Sequence, residues 1–164
     1  MFFARRASRL LASCLALLFA LGALDAARAR AADPQPSHVA PAANWNDAEK
    51  WAWSKIEQGE IADFDKRPEC KGWSAPTPKD EDNKEWDNTC RVIHGGFIVD
   101  LLTKAPWREA MPVAGVRVGN ARIEGDVNLE NATVVRAIKI WSSWIGGEVN
   151  LMRARTESLI HITG

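Results

Sequence analysis

Metal, nucleotide and redox motifs are missing from this chain. It contains no H-E-x-x-H, no C-x-x-C, no G-x-x-x-x-G-K-[ST] and no G-x-G-x-x-G. The mechanisms that need those spacings therefore have no foothold. Histidine is scarce, and His38, His94 and His161 lie far apart in sequence, so they read as structural residues rather than as a ligand set. Positive charge is not in excess, with 21 basic against 21 acidic residues, whereas nucleic-acid binding asks for a basic face. The apolar stretch from Leu10 to Leu24 has 15 residues, short of the roughly 20 a helix needs to cross a bilayer. Cysteine numbers only three.

That apolar stretch follows Arg5, Arg6 and Arg9 and precedes Ala29-Arg30-Ala31. Basic region, apolar core and A-x-A site are the three parts of a secretory signal, which predicts a mature chain starting at Ala32 in the periplasm or outside the cell. Leu11-Ala12-Ser13-Cys14 imitates a lipidation box, but most of the apolar core follows Cys14, so lipidation is not expected. Residues 1–31 carry five Arg and one Asp, which leaves 16 basic and 20 acidic residues, net −4. Cys70 and Cys90 also remain, and in an oxidising compartment an even pair predicts a disulfide.

The last third of the chain repeats every 11 residues. Positions 0, 2, 5 and 7 of each unit are Val116, Val118, Ala121, Ile123; Val127, Leu129, Ala132, Val134; Ile138, Ile140, Ser143, Ile145; and Val149, Leu151, Ala154, Thr156, with Ile160 and Ile162 opening a fifth. Sixteen of these 18 slots are apolar, against 6 of the 29 residues between them, so the slots form a buried set. Eleven residues make three helical turns, but positions 0 and 2 would lie about 200° apart on a helix. In a strand they share a face. The pairs 0/2 and 5/7 therefore predict two short strands per unit, and the Val and Ile that recur there suit strands.

A second period lies over the first. Ile123-Glu124-Gly125-Asp126-Val127-Asn128-Leu129 reappears 22 residues later as Ile145-Gly146-Gly147-Glu148-Val149-Asn150-Leu151. Gly125 and Gly147 sit where corners belong. The expected fold is mainly β: a right-handed quadrilateral parallel β-helix with 22-residue coils, preceded by a small helical, disulfide-stapled segment. The Ala-x-Ile, Ala-x-Val, Ser-x-Ile and Ala-x-Thr pairs resemble the small-x-large core of pentapeptide-repeat proteins, with faces that alternate between five and six residues. The stretch 113–164 also resembles uncharacterised exported bacterial β-helix proteins with runs such as GARIxGDVDL, here Gly119 to Leu129. The resemblance covers about a third of the chain and implies a fold without an activity. A leucine-rich repeat also admits a 22-residue length, but it expects L-x-x-L-x-L where this chain has I-x-x-x-V-x-L.

Four segments follow: a signal peptide at 1–31, a flexible Ala/Pro-rich leader at 32–43, a helical and loop capping segment at 44–112, and the start of the solenoid at 113–164. Asn46 or Asp47 can cap a helix that runs to about Gln58 and ends at Gly59. Ile61 to Phe64 leads into a loop, and Asp65 to Trp86 reads as loop throughout. Ile93, Phe97 and Leu101 predict an amphipathic helix over Asp87–Thr103, weakened by Gly95-Gly96 in its middle, which could cover the open end of the solenoid. Lys104 to Pro112 is a connector. Val116 to Ile162 makes only about two coils and stops in mid-coil, which predicts either a longer parent protein or end-to-end self-association through the open end.

Chemical candidates are few. Gly72-Trp73-Ser74-Ala75-Pro76 begins like a nucleophile elbow but ends in Pro76, and Asp80-Glu81-Asp82-Asn83 opens like a calcium loop but lacks its Gly and its final Glu. Residues 22 apart should stack. Asp126 over Glu148 would set two carboxylates roughly 5 Å apart, the spacing of a retaining glycosidase pair. Asn128 over Asn150 would make an outward asparagine step able to share amide hydrogen bonds, and Arg117, Lys139 and His161 a basic column. Trp141 and Trp144 point outward with Arg122 beneath Trp144; a sugar-stacking or protein contact and a cation–π pair are open to them, but the expected reading is a surface covered by a missing coil or by the N-terminal segment. The expected function is an exported structural or binding protein with a protein or polysaccharide partner, without cofactor, metal, nucleic acid or stable membrane span. The alternative is a polysaccharide-active enzyme using Asp126 and Glu148.

Overall fold

The computed structural model describes residues 38–72, 75 and 84–163. Among the described residues three α-helices and eleven short strands alternate with 3-10 turns. In chain order they are α1 (Asp47–Ile56), β1 (Ala62–Asp63), β2 (Val92–His94), α2 (Gly95–Thr103) and α3 (Trp107–Ala110). Then come β3 (Val116–Gly119), β4 (Arg122–Glu124), β5 (Val127–Asn128), β6 (Thr133–Val134), β7 (Ile138–Trp141), β8 (Trp144–Ile145), β9 (Val149–Asn150), β10 (Arg155–Thr156) and β11 (Ile160–Thr163).

From β3 onward the chain visits four sheets in turn and returns to the first. The pairs β3–β7, β4–β8, β5–β9, β6–β10 and β7–β11 are all parallel, and each joins residues 22 apart, as in Val116 with Ile138 and Ile138 with Ile160. We call each set of four strands a tier, and name the sheets A (β1-β3-β7-β11), B (β2-β4-β8), C (β5-β9) and D (β6-β10). Parallel strands buried on one face need apolar residues at every second position, which the 0/2 and 5/7 slots supply. Val116, Val118, Ala121 and Ile123 are fully buried, and Ile138 and Ile140 are nearly so. Ser143, the polar slot, is 3% exposed; its hydroxyl donates to Trp141 O (2.8 Å) and accepts from Ala121 N–H (3.1 Å), so it ties the two tiers at a corner.

The 11-residue period is also written in the backbone. Asn120, Asn131, Ser142 and Arg153 have φ of 59°, 58°, 46° and 57°. Each stands at position 4 of its unit, between the two strands. Asn tolerates this left-handed conformation better than most residues, and Asn120 and Asn131 carry the signal in the sequence. Ser142 and Arg153 do not, and follow because the tier above imposes its path on the tier below. Gly125, at φ 73°, makes the corner before β5, and a Cβ on Gly147 would collide with the Gly125 backbone, so the glycine step 22 residues apart is a close backbone approach.

The capping segment departs from the expected loop and helix. Ala62–Asp63 is a strand that pairs with Val118–Gly119, and Val92–His94 pairs with Arg122–Glu124. The helix expected over Asp87–Thr103 starts only at Gly95. A free strand edge presents unpaired N–H and C=O groups, and pairing them outweighs the helical periodicity of the short Ile93-containing stretch. Gly95 and Gly96 thus lie at the helix start, where a Cβ on Gly95 would collide with the Asp126 carbonyl. β1 and β2 continue sheets A and B by one tier, and α2 packs over β5 and β6, the first strands of C and D. The connector contains the short helix α3.

α1 is bounded as expected. Asn46 caps it and Glu49 completes a capping box, and Gly59 follows its end at φ 72°. Ala48, Ala52, Trp53 and Ile56 face the core. Trp45 meets Phe97 and Trp107 at centroid distances of 4.8 and 4.7 Å. The described end of the leader is docked rather than loose: Trp53 Nε1 donates to Val39 O (2.7 Å) and Trp107 Nε1 to Ala40 O (3.0 Å). Cys70 and Cys90 form a disulfide with their Cα atoms 5.4 Å apart. No helix among the described residues is long and apolar enough to cross a membrane.

Candidate functional site

The side chains that alternate with the buried slots form columns on the four sheets, and these columns are the candidate site. Asp126 and Glu148, the expected carboxylate pair, lie just before β5 and β9 and are both exposed. Asp126 Oδ1 accepts the backbone N–H of Glu148 at 2.8 Å. That bond makes Asp126 a tie between tiers, and among the described residues no other acid or base is bonded to the pair.

Asn128 and Asn150 are register partners on sheet C, yet they do not form the expected amide step. Asn128 Oδ1 accepts from Glu130 N–H (3.0 Å) and Asn150 Oδ1 from Met152 N–H (2.9 Å). Each carboxamide turns back on its own loop, as Asx turns do, which shapes the next corner.

Sheet B carries Trp144 beneath Arg122. The guanidinium carbon lies 4.9 Å from the ring centroid, and Arg122 also pairs with Asp87 and with Glu124 (3.1 Å). Its charge is neutralised by two carboxylates, so it works as a strap from the capping segment across the indole. His94, outward at the end of β2, has a partner the sequence did not reveal. Glu49, 2% exposed, accepts the His94 backbone N–H (2.8 Å), lies 2.9 Å from its Nδ1 and accepts Asn46 N–H (2.8 Å). Buried carboxylates need such pairing, and this one joins α1 to the end of β2. His38 Nδ1 lies 2.8 Å from Glu57 Oε2.

Sheet A is different. Its outward residues are Arg117 and Gly119 on β3, Lys139 and Trp141 on β7, and His161 and Thr163 on β11, in strict register. A Cβ on Gly119 would collide with the Trp141 indole, so the ring lies over the β3 backbone. Lys139 Nζ sits 5.6 Å from its centroid. Arg117 donates to Gly59 O, a neutral acceptor.

At the corner between A and B, the capping segment grips the first tier. Asn120 Nδ2 donates to Asp63 Oδ1 (2.8 Å), and buried Arg91 donates to Asn120 O (3.0 Å) and to Asp65 Oδ1 (3.1 Å). Burial raises the Asp63 pKa, but hydrogen bonds from Asn120 and Lys66, the Lys66 charge and the Asp65 N–H outweigh it and leave the carboxyl below its ordinary value.

Two open clefts lie in the capping segment. One, of about 500 Å³, is lined by Asn46, Asp47, Arg67, Glu69 and Asn88; the other, of about 340 Å³, by Trp51, Lys55, Glu60, Asp63 and Lys66. Neither touches Asp126, Glu148, Trp141 or Trp144. Trp73, Ser74 and Pro76 of the elbow-like stretch and Asp80 to Asn83 lie outside the described residues. Among the described residues no group of three or more His, Cys, Asp or Glu side chains is placed to hold a metal ion. Compared with family models, with curated proteins and with solved structures, the chain matches none.

Proposed function

We propose that the mature chain is an exported binding protein whose tiers form a right-handed parallel β-helix of square cross-section, presenting flat walls to a protein or polysaccharide partner and catalysing no reaction. One observation carries this reading: the 22-residue register, held on all four sheets, sets outward side chains in open columns, whereas active sites are concave with converging polar groups. The inward small residues Ala121 and Ser143 support the pentapeptide-like description, since small side chains let walls meet closely at corners. The Cys70–Cys90 bridge supports an oxidising compartment. Leu151, after β9, and Leu159, before β11, are 38% and 68% exposed, apolar surface that a further tier or a second chain would cover.

The alternative, hydrolysis or elimination on a polysaccharide by Asp126 and Glu148, is disfavoured by the backbone duty of Asp126. The test is to express the whole gene with its own N-terminus and collect the exported fraction. The expected material starts at Ala32, contains the disulfide and turns over no polysaccharide. Turnover that disappears in D126N/E148Q would establish the enzyme instead, and material retaining Met1 would remove export.

A further inference from the structure

We propose that the outer face of sheet A binds an acidic polysaccharide, with a sugar ring stacked on Trp141 and its carboxylates paired with Arg117 and Lys139. This rests on the binding-wall reading and names its partner class.

Three features of sheet A converge. First, Arg117, Lys139 and His161 occupy one register line across β3, β7 and β11, at the inter-strand spacing of roughly 4.8 Å. Among the described residues none of the three has a carboxylate partner. Arg117 and Lys139 are therefore an unneutralised cationic pair on a mature chain of net −4, and a linear polyanion would be drawn to this face and repelled from the corner before sheet C, where Asp126 and Glu148 are exposed. Second, Trp141 is laid over Gly119. The bare glycine lets the indole lie against the strand, which fixes its orientation before any ligand arrives and lowers the entropy cost of stacking. Third, Lys139 Nζ lies over that ring, 5.6 Å from its centroid, and among the described residues no carboxylate holds it there, so it can yield the ring face to a sugar and meet the sugar's carboxylate beside it. A sugar presents an apolar C–H face to an aromatic ring, and a uronate presents its carboxylate at the ring edge, where a charge-assisted hydrogen bond to Lys139 is strongest.

Sheet B shows what such a site cannot be. Trp144 also lies along a wall, over Gly146, but Arg122 crosses it and is held by Asp87 and Glu124. There the indole is strapped and the cation spent.

The experiment measures binding of the full exported protein to polygalacturonate, with neutral dextran and poly-L-glutamate as comparisons, at low and high salt. Polygalacturonate should bind and dextran should not. Lys139→Gln, an exposed change, and Trp141→Leu should each weaken it about tenfold, while Trp141→Phe keeps most of the affinity and Arg155→Gln on sheet D changes nothing. Circular dichroism and Tm of each variant separate lost binding from lost folding. No binding of polygalacturonate by the unmodified protein overturns the proposal and leaves the binding-wall reading to other partners. Equal binding of poly-L-glutamate, indifferent to Trp141→Leu, also overturns it, in favour of an acidic protein surface. Cleavage of the polymer would instead overturn the non-catalytic reading beneath it.

Discussion

The two ends of the four-sheet stack are built from the same repeat and are buried quite differently. At the β3 end, β1 and β2 add strands to sheets A and B and α2 lies over the first strands of C and D. There Val116, Val118, Ala121 and Ile123 are 0% exposed. At the β11 end the equivalent slots Leu151 and Thr156 are exposed and Ile160 and Ile162 only half-buried. Full burial of a side chain of this size stabilises by about 1.5–3 kcal/mol, so the same Ile or Leu contributes unequally by tier. The lesson is that the repeat dictates which way a side chain points, while the neighbouring tier decides what that direction is worth.

The sharpest way to break this comparison is charge. Ile140 is 1% exposed and Lys139, its neighbour on β7, is exposed. Ile140→Asp should cost about 4 kcal/mol or more, for want of a partner, whereas Lys139→Asp should stay within about 0.5 kcal/mol. Urea unfolding of both decides it, and equal losses would remove the alternation of inward and outward residues.

Truncation within one column sharpens it. Ile140→Ala should cost about 3 kcal/mol, and Ile162→Ala, 22 residues on in the same line, clearly less than half of that. If the two losses match in thermal or urea unfolding, the last tier is as well covered as the second.

At the capped end, the disulfide closes a 20-residue separation. Replacing Cys70 and Cys90 together by Ser should lower stability by about 3 kcal/mol through loop entropy. In hydrogen exchange the added opening should concentrate at α1, β1 and β2. Faster exchange at β9–β11 instead would mean that the two ends are not separable.

The smallest effect is electrostatic. Asp63 has its pKa lowered in the folded protein, so its charge adds stability that is complete above its ordinary carboxylate range and fades as pH falls through the folded value. Asp63→Asn should therefore cost about 1 kcal/mol near neutrality, and the gap to the unmodified protein should close as pH drops below about 4. A gap that widens in acid would contradict the grip of Asp63 on Asn120.

Much of the stack was legible because its information is local. Apolar residues at positions 0, 2, 5 and 7 cannot share a helical face, and the echo of Ile123–Leu129 at Ile145–Leu151 sets the register that the ladders adopt. Cys70 and Cys90 were legible by parity, and α1 by its cap. Val92–His94 was not, since its residues also fit a helix. Asn128 and Asn150 were placed correctly side by side, but their side-chain oxygens found nearer backbone N–H donors in their own loops. The basic line of Arg117, Lys139 and His161 followed from the period alone. That it has no carboxylate partner among the described residues, against the neutralised Arg122 one sheet away, required the placement of Asp87 and Glu124.

The sequence by itself determined the period, the inward slots and the columns they imply, because alternation along a strand is a property of successive residues. Only the tertiary structure decided that Ala62–Asp63 and Val92–His94 become strands, that Ser142 and Arg153 adopt left-handed φ, and that Glu49 meets His94 across 45 residues. Each of those outcomes depends on hydrogen-bonding groups or backbone paths offered by a distant segment, and no short-range pattern encodes a distant edge.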